Sequence, residues 1–229
     1  MSDSSMPHPP QLASPNQDVL GRKIHGVHQV LFGVSIAAVC ASVLTLFAEL
    51  TNFQFWLDVK NETFTSEAEL MSRATQADDF TSSANQIYFL VYLTLFIVFL
   101  VWCNKMTKNL NDLGYQTSKG SKWVVGSFFI PIANFFLVFG SIKDLLTGLG
   151  RHVPALTNDR QKSLKMWWIL ISISTLLNRA TYWEPNADAA IEQYLNLAGF
   201  SAFVALFNAI SFGFGVKAFK QLRDSTKRI

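Results

Sequence analysis

Apolar residues along this chain gather in five runs separated by polar stretches. The runs are close to the length that spans a bilayer's hydrocarbon core. The first covers residues 30–50, preceded by Arg22 and Lys23 and by a helical pattern that begins at Asp18. At about 1.5 Å per residue it can cross the roughly 30 Å hydrocarbon layer. The second covers 87–103, the third 123–142, the fourth 166–178 or on to Trp183, and the fifth 194–216. Pro131 interrupts the third, removing a backbone donor and obstructing the preceding turn. The pattern predicts an all-α, polytopic helical membrane protein with four full transmembrane helices. The broken third segment is re-entrant or an ordinary proline-kinked span.

The polar stretches divide the rest. Residues 1–17 are rich in Ser, Pro and Gln and lack the basic-then-apolar layout of a cleavable signal. They read as a disordered cytoplasmic tail ahead of a single membrane domain over 18–229. Residues 51–86 read as a polar, acidic extracytoplasmic loop. Inside it, Ser66 and Glu69 have the spacing of a capping box, opening a short amphipathic helix through Leu70, Met71, Ala74 and Ala77.

Composition sharpens the class. Half of the 229 residues are hydrophobic and 15% are charged, against about a quarter charged in soluble domains. That excludes a soluble enzyme core, a disulfide scaffold and a disordered chain. Cys40 and Cys103 lie in or beside apolar runs, where a cysteine acts as a small packing residue. The net charge of +3 lacks the clustered basic face that nucleic acid requires, so no nucleic-acid partner is expected.

The distribution of charge decides orientation, because Lys and Arg accumulate on the cytoplasmic side. If the third segment returns to its own side, 16 basic residues are inside and 3 outside; if all five runs cross, the best split is 12 and 7. The first scheme puts both termini in the cytoplasm. Ten of the sixteen acids then fall outside. Trp56 and Trp183 sit at the outer interface, with Trp102, Trp123, Trp167 and Trp168 at the inner one.

Candidate chemistry is sparse. No ionisable residue lies between the ends of the spans, which argues against a proton-coupled transporter. Arg179 reads as a snorkelling arginine beside Glu184, or as a contact for an anion or lipid phosphate near the outer leaflet. His25 and His28 are one turn apart, but two ligands do not make a metal site. No catalytic motif, metal site or cofactor is expected. Gly33, Ala37 and Ala41 repeat every four positions, as do Ala205, Ala209 and Gly213. Such ridges serve close helix packing, within the bundle or against a protein partner or second copy. Asn134, three residues past Pro131, stands where a broken backbone must be satisfied locally or by a ligand.

One order of motifs carries a family resemblance: Trp102 with Lys105, Asn109-Leu110, Leu113-Gly114, Trp123, Gly126, the joined segment Phe129-Ile130-Pro131-Ile132-Ala133-Asn134, then Trp167-Trp168. Over about residues 87–180 the chain resembles the bacterial multi-pass membrane family catalogued as domain of unknown function 4328. The resemblance implies a bacterial inner-membrane setting and directs attention to Lys105, Asn109, Trp123, Pro131 and Asn134. It also implies an arginine where Lys105 stands and a second proline where Val138 stands, and these departures weaken the case that a guanidinium or a second kink is essential here. It implies no reaction.

The sequence therefore points to a non-enzymatic interaction or regulatory subunit of the inner membrane. Its basic cytoplasmic face would attract anionic lipid headgroups, at roughly 1 kcal/mol per Lys or Arg near the surface. The alternative is a small-solute or lipid transporter that binds at the Pro131–Asn134 break. An enzyme acting on lipid headgroups through His152, Asp144 and Asp159 is the third class.

Overall fold

Residues 51–86 contain neither proline nor glycine, so the helices on either side can extend far into them. The computed structural model describes residues 15–129, 133–152, 158–183, 185–186 and 189–226. In it α1 runs over Pro15–Lys60 and α2 over Glu67–Asp112. The expected outer loop is thus the tip of a long helical hairpin, with only residues 61–66 outside the helices. Ser66 does cap α2, its hydroxyl accepting from the Glu69 N–H at 3.2 Å, while the Glu69 carboxylate accepts from Thr65 N–H and Oγ–H. The helix it opens is not short, however; it continues without interruption into the second apolar run. Of the expected tail, residues 1–14 lie outside the described residues, and α1 already begins at Pro15, a residue preorganised for a helix start.

The third run is broken. A six-residue helix, α3 (Ser121–Gly126), passes into a 3₁₀ turn (Ser127–Phe129), and the chain resumes as α4 (Ala133–His152). Pro131 lies outside the described residues. α4 also passes through Lys143 and Asp144, where hydropathy alone ends the apolar run, because the helix is amphipathic there. Leu145, Leu146 and Leu149 are buried while Lys143 and Thr147 are exposed. α5 (Asn158–Ala180) and α6 (Ile191–Thr226) complete an all-helical fold, with no strand among the described residues. α1, α2 and α6 are long and apolar enough to cross a membrane.

α1 is the axis of the bundle, and α2 and α6 run antiparallel to it. Trp56 stacks on Tyr194 at 4.6 Å, Lys60 pairs with Glu192 at 3.5 Å, and Arg223 lies over the Phe32 ring at 4.2 Å. The buried positions of α1 are Ile24, His28, Leu31, Ser35, Ala38, Ser42, Thr45 and Glu49, alternating four and three apart along the helix, with Ala41 and Ala48 beside them. A 3.5-residue repeat of this kind is the seam of left-handed helix packing. Small side chains there let the backbones approach.

α5 packs on α6, where Trp167 meets Phe219 at 4.8 Å between ring centroids. A Cβ on Gly215 would fall 2.7 Å from the Trp167 indole nitrogen, so α6 has room for this indole only as glycine. Trp102 and Trp167, expected at an interface, are instead buried in an aromatic core with Phe99, Phe128 and Phe219. The outward positions of α1, α2, α5 and α6 carry Phe47, Leu90, Ile97, Ile173, Phe203 and Ile210. That apolar belt exceeds what water-solvated surfaces carry and suits lipid.

The α3–α4 unit begins and ends against the same end of α2. Phe128 reaches in to Phe96 and Phe99, at 5.9 Å from each, and α4 returns to Tyr115 through Asp144 and Gly148. Leu113-Gly114-Tyr115 is the stop signal of α2: Gly114 has φ +83, and Tyr115 N–H and Gly114 N–H donate to Leu110 O and Asn111 O. This is a Schellman cap, and it explains why glycine follows Leu113.

Candidate functional site

α2 and α5 are not in close backbone contact; side chains bridge the gap between them. In that gap, at the half of the bundle nearer the α1–α2 hairpin, lies a cavity of about 410 Å³. Its floor is α1, which contributes Thr45 and Glu49. Both belong to the buried seam, and a helix that must pack on two neighbours keeps them turned inward.

Glu49 is 7% exposed, and its carboxylate accepts from Asn85 Nδ2 on α2 at 3.4 Å. One turn earlier, Thr45 Oγ1 is buried with no hydrogen-bond partner among the described residues. An unsatisfied buried hydroxyl is rare and calls for a cause. Across the cavity, α5 and α6 are tied by a reciprocal amide pair: Asn178 Nδ2 donates to Asn208 Oδ1 and Asn208 Nδ2 donates to Asn178 Oδ1, both at 3.2 Å. Ser174 Oγ also donates to Asn208 Oδ1. Arg179 stands at the rim, with the exposed Phe89 and Tyr182 at the lip. The site therefore offers a carboxylate, a guanidinium, hydroxyls and amides inside a helical bundle.

Toward the other end of the gap lies a second, smaller pocket of about 100 Å³, lined by Leu95, Phe96, Phe99, Phe128, Trp168 and Ile171 among others. Tyr92 and Thr175 line both spaces, and their hydroxyls are 3.4 Å apart.

The expected site residues that the structure describes are spread along the bundle. Among the described residues, Arg179 and the packing residue Ala205 line the cavity. Lys105 is exposed and Asn109 half-buried near the far end of α2, where Asn109 O accepts the Leu113 N–H of the cap. Trp123 is exposed on α3, with Lys119 Nζ 5.6 Å from its ring. Pro131 and the side chain of Asn134 lie outside the described residues. Among the packing residues, Ala41 and Ala205 are buried and Ala209 is half-buried, whereas Gly33, Ala37 and Gly213 face outward. His28 is buried and accepts from Trp102 Nε1 at 2.8 Å; His25 is bonded to Gln29. No group of three or more metal-ligating side chains occurs among the described residues.

Sequence reasoning missed Glu49, because it stands one residue from the end of its apolar run. A signal was present: His28, Ser35, Ser42 and Glu49 recur every seven residues, and only a buried seam explains polar groups at that interval.

Long apolar helices, an outward apolar belt and a polar cavity between the helices define a helical membrane protein. A family model described as Domain of unknown function (DUF4328) matches residues 65–224, and the chain belongs to that family. The match extends beyond the motif-bearing segment to both walls of the cavity on α2 and α6. No curated protein and no solved structure matches the chain.

Proposed function

We propose that the protein is a non-enzymatic binding protein of the membrane, a carrier or ligand-responsive subunit, whose ligand occupies the cavity between α1, α2, α5 and α6. The observation that carries this reading is the buried pair Glu49 and Thr45 in a cavity large enough for a small ligand, with the Thr45 hydroxyl unsatisfied among the described residues. Buried polar groups without partners are costly, and a bound group that pairs with them removes that cost. The ligand site thus moves from the Pro131–Asn134 break to the bundle interior.

We place the protein in the bacterial inner membrane, on the family resemblance, with α5 as a fourth span and both termini cytoplasmic. Met166, Ile169, Ile173 and Leu176 give α5 its own outward apolar face. Lys105, Lys108, Lys122, Lys143, Lys162 and Lys217 belong to the end of the bundle away from the hairpin, as the positive-inside rule asks. That end would also gather anionic headgroups. The α3–α4 unit leaves and rejoins the same end of α2, which favours the re-entrant reading over a kinked span.

The test is native mass spectrometry of the protein extracted with its own lipids. A stoichiometric small molecule should accompany the chain and be lost from Ser201→Phe, which fills the cavity from α6. A reproducible protein partner and no bound molecule, with Ser201→Phe indistinguishable from wild type, would instead favour the interaction-subunit reading. One observation gives that second reading substance: a Cβ on the outward Gly33 or Gly213 would meet nothing within 4 Å among the described residues, leaving each open to a partner helix.

A further inference from the structure

The polar cavity and the aromatic pocket share two of their walls, Tyr92 and Thr175, and follow one another down the gap between α2 and α5. On α2 the polar space is lined from Asn85 and the apolar one as far as Phe99. Those residues are separated by about 21 Å of helix rise. The order matters: the charged groups lie toward the hairpin end, and the aromatic groups lie deeper, beside the middle of the apolar run at 87–103. A lipid in the adjacent leaflet has the same arrangement, headgroup outside and chain inside.

Resting on the proposed ligand site, we infer that its occupant is an amphiphile with a zwitterionic head. Its ammonium group faces Glu49, its anionic group faces Arg179, and its acyl chain passes Tyr92 and Thr175 into the aromatic pocket. Three features carry this. Glu49 is buried and Arg179 stands exposed at the rim of the same cavity, so a ligand that bears both signs meets both and gives the buried carboxylate a counter-charge. The deep pocket is walled by Phe96, Phe99, Phe128 and Trp168, which fits a hydrocarbon chain. And the Tyr92–Thr175 contact, at 3.4 Å, is long enough to give way to a passing chain. Access is lateral, between α2 and α5, past the exposed Phe89.

The probes are lysophosphatidylethanolamine, which has head and chain; lysophosphatidylglycerol, which has the chain but no ammonium; and phosphoethanolamine, the water-soluble head. Binding to the full chain in detergent is measured by native mass spectrometry. Lysophosphatidylethanolamine should bind one per chain, at least tenfold tighter than either of the others. Ser172→Phe, which narrows the aromatic pocket, should weaken it tenfold or more while leaving phosphoethanolamine unchanged. Glu49→Gln should remove the preference for ethanolamine over glycerol. Asn85→Ala, which removes the donor to the Glu49 carboxylate from an exposed position, should reduce that preference and serves if Glu49→Gln does not fold. Equal affinity for phosphoethanolamine and the lysolipid would overturn the amphiphile while leaving the polar site standing. Equal affinity for the two lysolipids would overturn the zwitterionic head. Binding of none of the three, with no co-purified molecule, would overturn both this inference and the proposed site.

Discussion

The indole Nε1 of Trp102 donates to Nε2 of His28 at 2.8 Å, in an interior where neither ring reaches solvent. Because the indole is only a donor, His28 Nε2 is an acceptor and the ring proton sits on Nδ1. The bond ties α1 to α2 at the end opposite the hairpin. Trp102→Phe leaves the imidazole acceptor without this donor and should destabilise the protein by about 1–3 kcal/mol. Adding His28→Leu should recover part of that loss, since removing both partners is milder than removing one. Unfolding in a graded denaturing detergent measures the cycle; strictly additive losses would show that the bond carries no coupling.

Glycines at helix contacts make a second prediction, and it separates two kinds of small residue. A Cβ on Gly148 would fall 2.6 Å from the Tyr115 ring, and one on Gly215 would fall 2.7 Å from Trp167 Nε1. Gly148→Ala and Gly215→Ala should each cost about 1–3 kcal/mol by overpacking. Gly33→Ala and Gly213→Ala meet nothing within 4 Å and should be neutral or stabilising by up to about 1 kcal/mol, as expected for alanine replacing glycine in a helix. Loss of an oligomer or a co-purifying protein in Gly33→Ala, with the monomer intact, would identify the outward ridge as a partner interface.

The difference between those glycines also explains what the sequence could and could not reveal. Residues repeated every four positions drift by about 40° per step around a helix, so the ridge from Gly33 to Ala41 turns away from any single contact. A seven-residue repeat drifts by only about 20°, which is why His28, Ser35, Ser42 and Glu49 stay on one buried face. The apolar runs, the Ser66 cap and the interruption of the third run after Gly126 were legible because each depends on local chemistry. Helix ends were not. Averaged hydropathy ends a run at Lys143, yet α4 continues because Leu145, Leu146 and Leu149 repeat on its inward face. The cavity was hidden for a different reason: its walls come from four helices distant in sequence, and only the fold brings Glu49 beside Asn85 and places Arg179 on the same rim.

The loop after α2 supplies a pH prediction outside the spans. Tyr115 Oη donates to Asp144 Oδ1 at 2.9 Å, while Ser118 N–H and Oγ–H donate to Asp144 Oδ2. Burial, then the bond to Asp144 and its charge, push the Tyr115 phenol above its ordinary range; Arg151 opposes them. The folded state favours the neutral phenol, so this contribution is fully present below the ordinary tyrosine value near 10 and is lost as pH rises through the higher folded value. Ultraviolet titration, read as the difference from Tyr115→Phe, should show late ionisation. Asp144→Asn should bring it part of the way back, since burial remains. A phenol that ionises at the ordinary value in wild type would show that the loop does not hold this contact in solution.

Topology gives the last prediction, and it depends on where α4 returns. Ser118 and Asp144 are joined at the Tyr115 end of α2, whereas Thr63 lies in the turn between α1 and α2 at the opposite end. If the α3–α4 unit re-enters, a cysteine at Ser118 and one at Thr147 label from the same side of the membrane, and a cysteine at Thr63 labels from the other. Thr147 is exposed on α4, so reagent reaches it without disturbing the core. Cys40 and Cys103 are first replaced by serine and alanine, because Cys40 is exposed and would give background. In right-side-out vesicles an impermeant maleimide should modify the Thr63 position only, and permeabilisation should open the other two together. Modification of the Thr147 position from the Thr63 side would make residues 123–142 a crossing span and would put the second half of α4 across the membrane from Tyr115. That arrangement would separate Asp144 from Ser118, so the same experiment tests the hydrogen bonds that anchor α4.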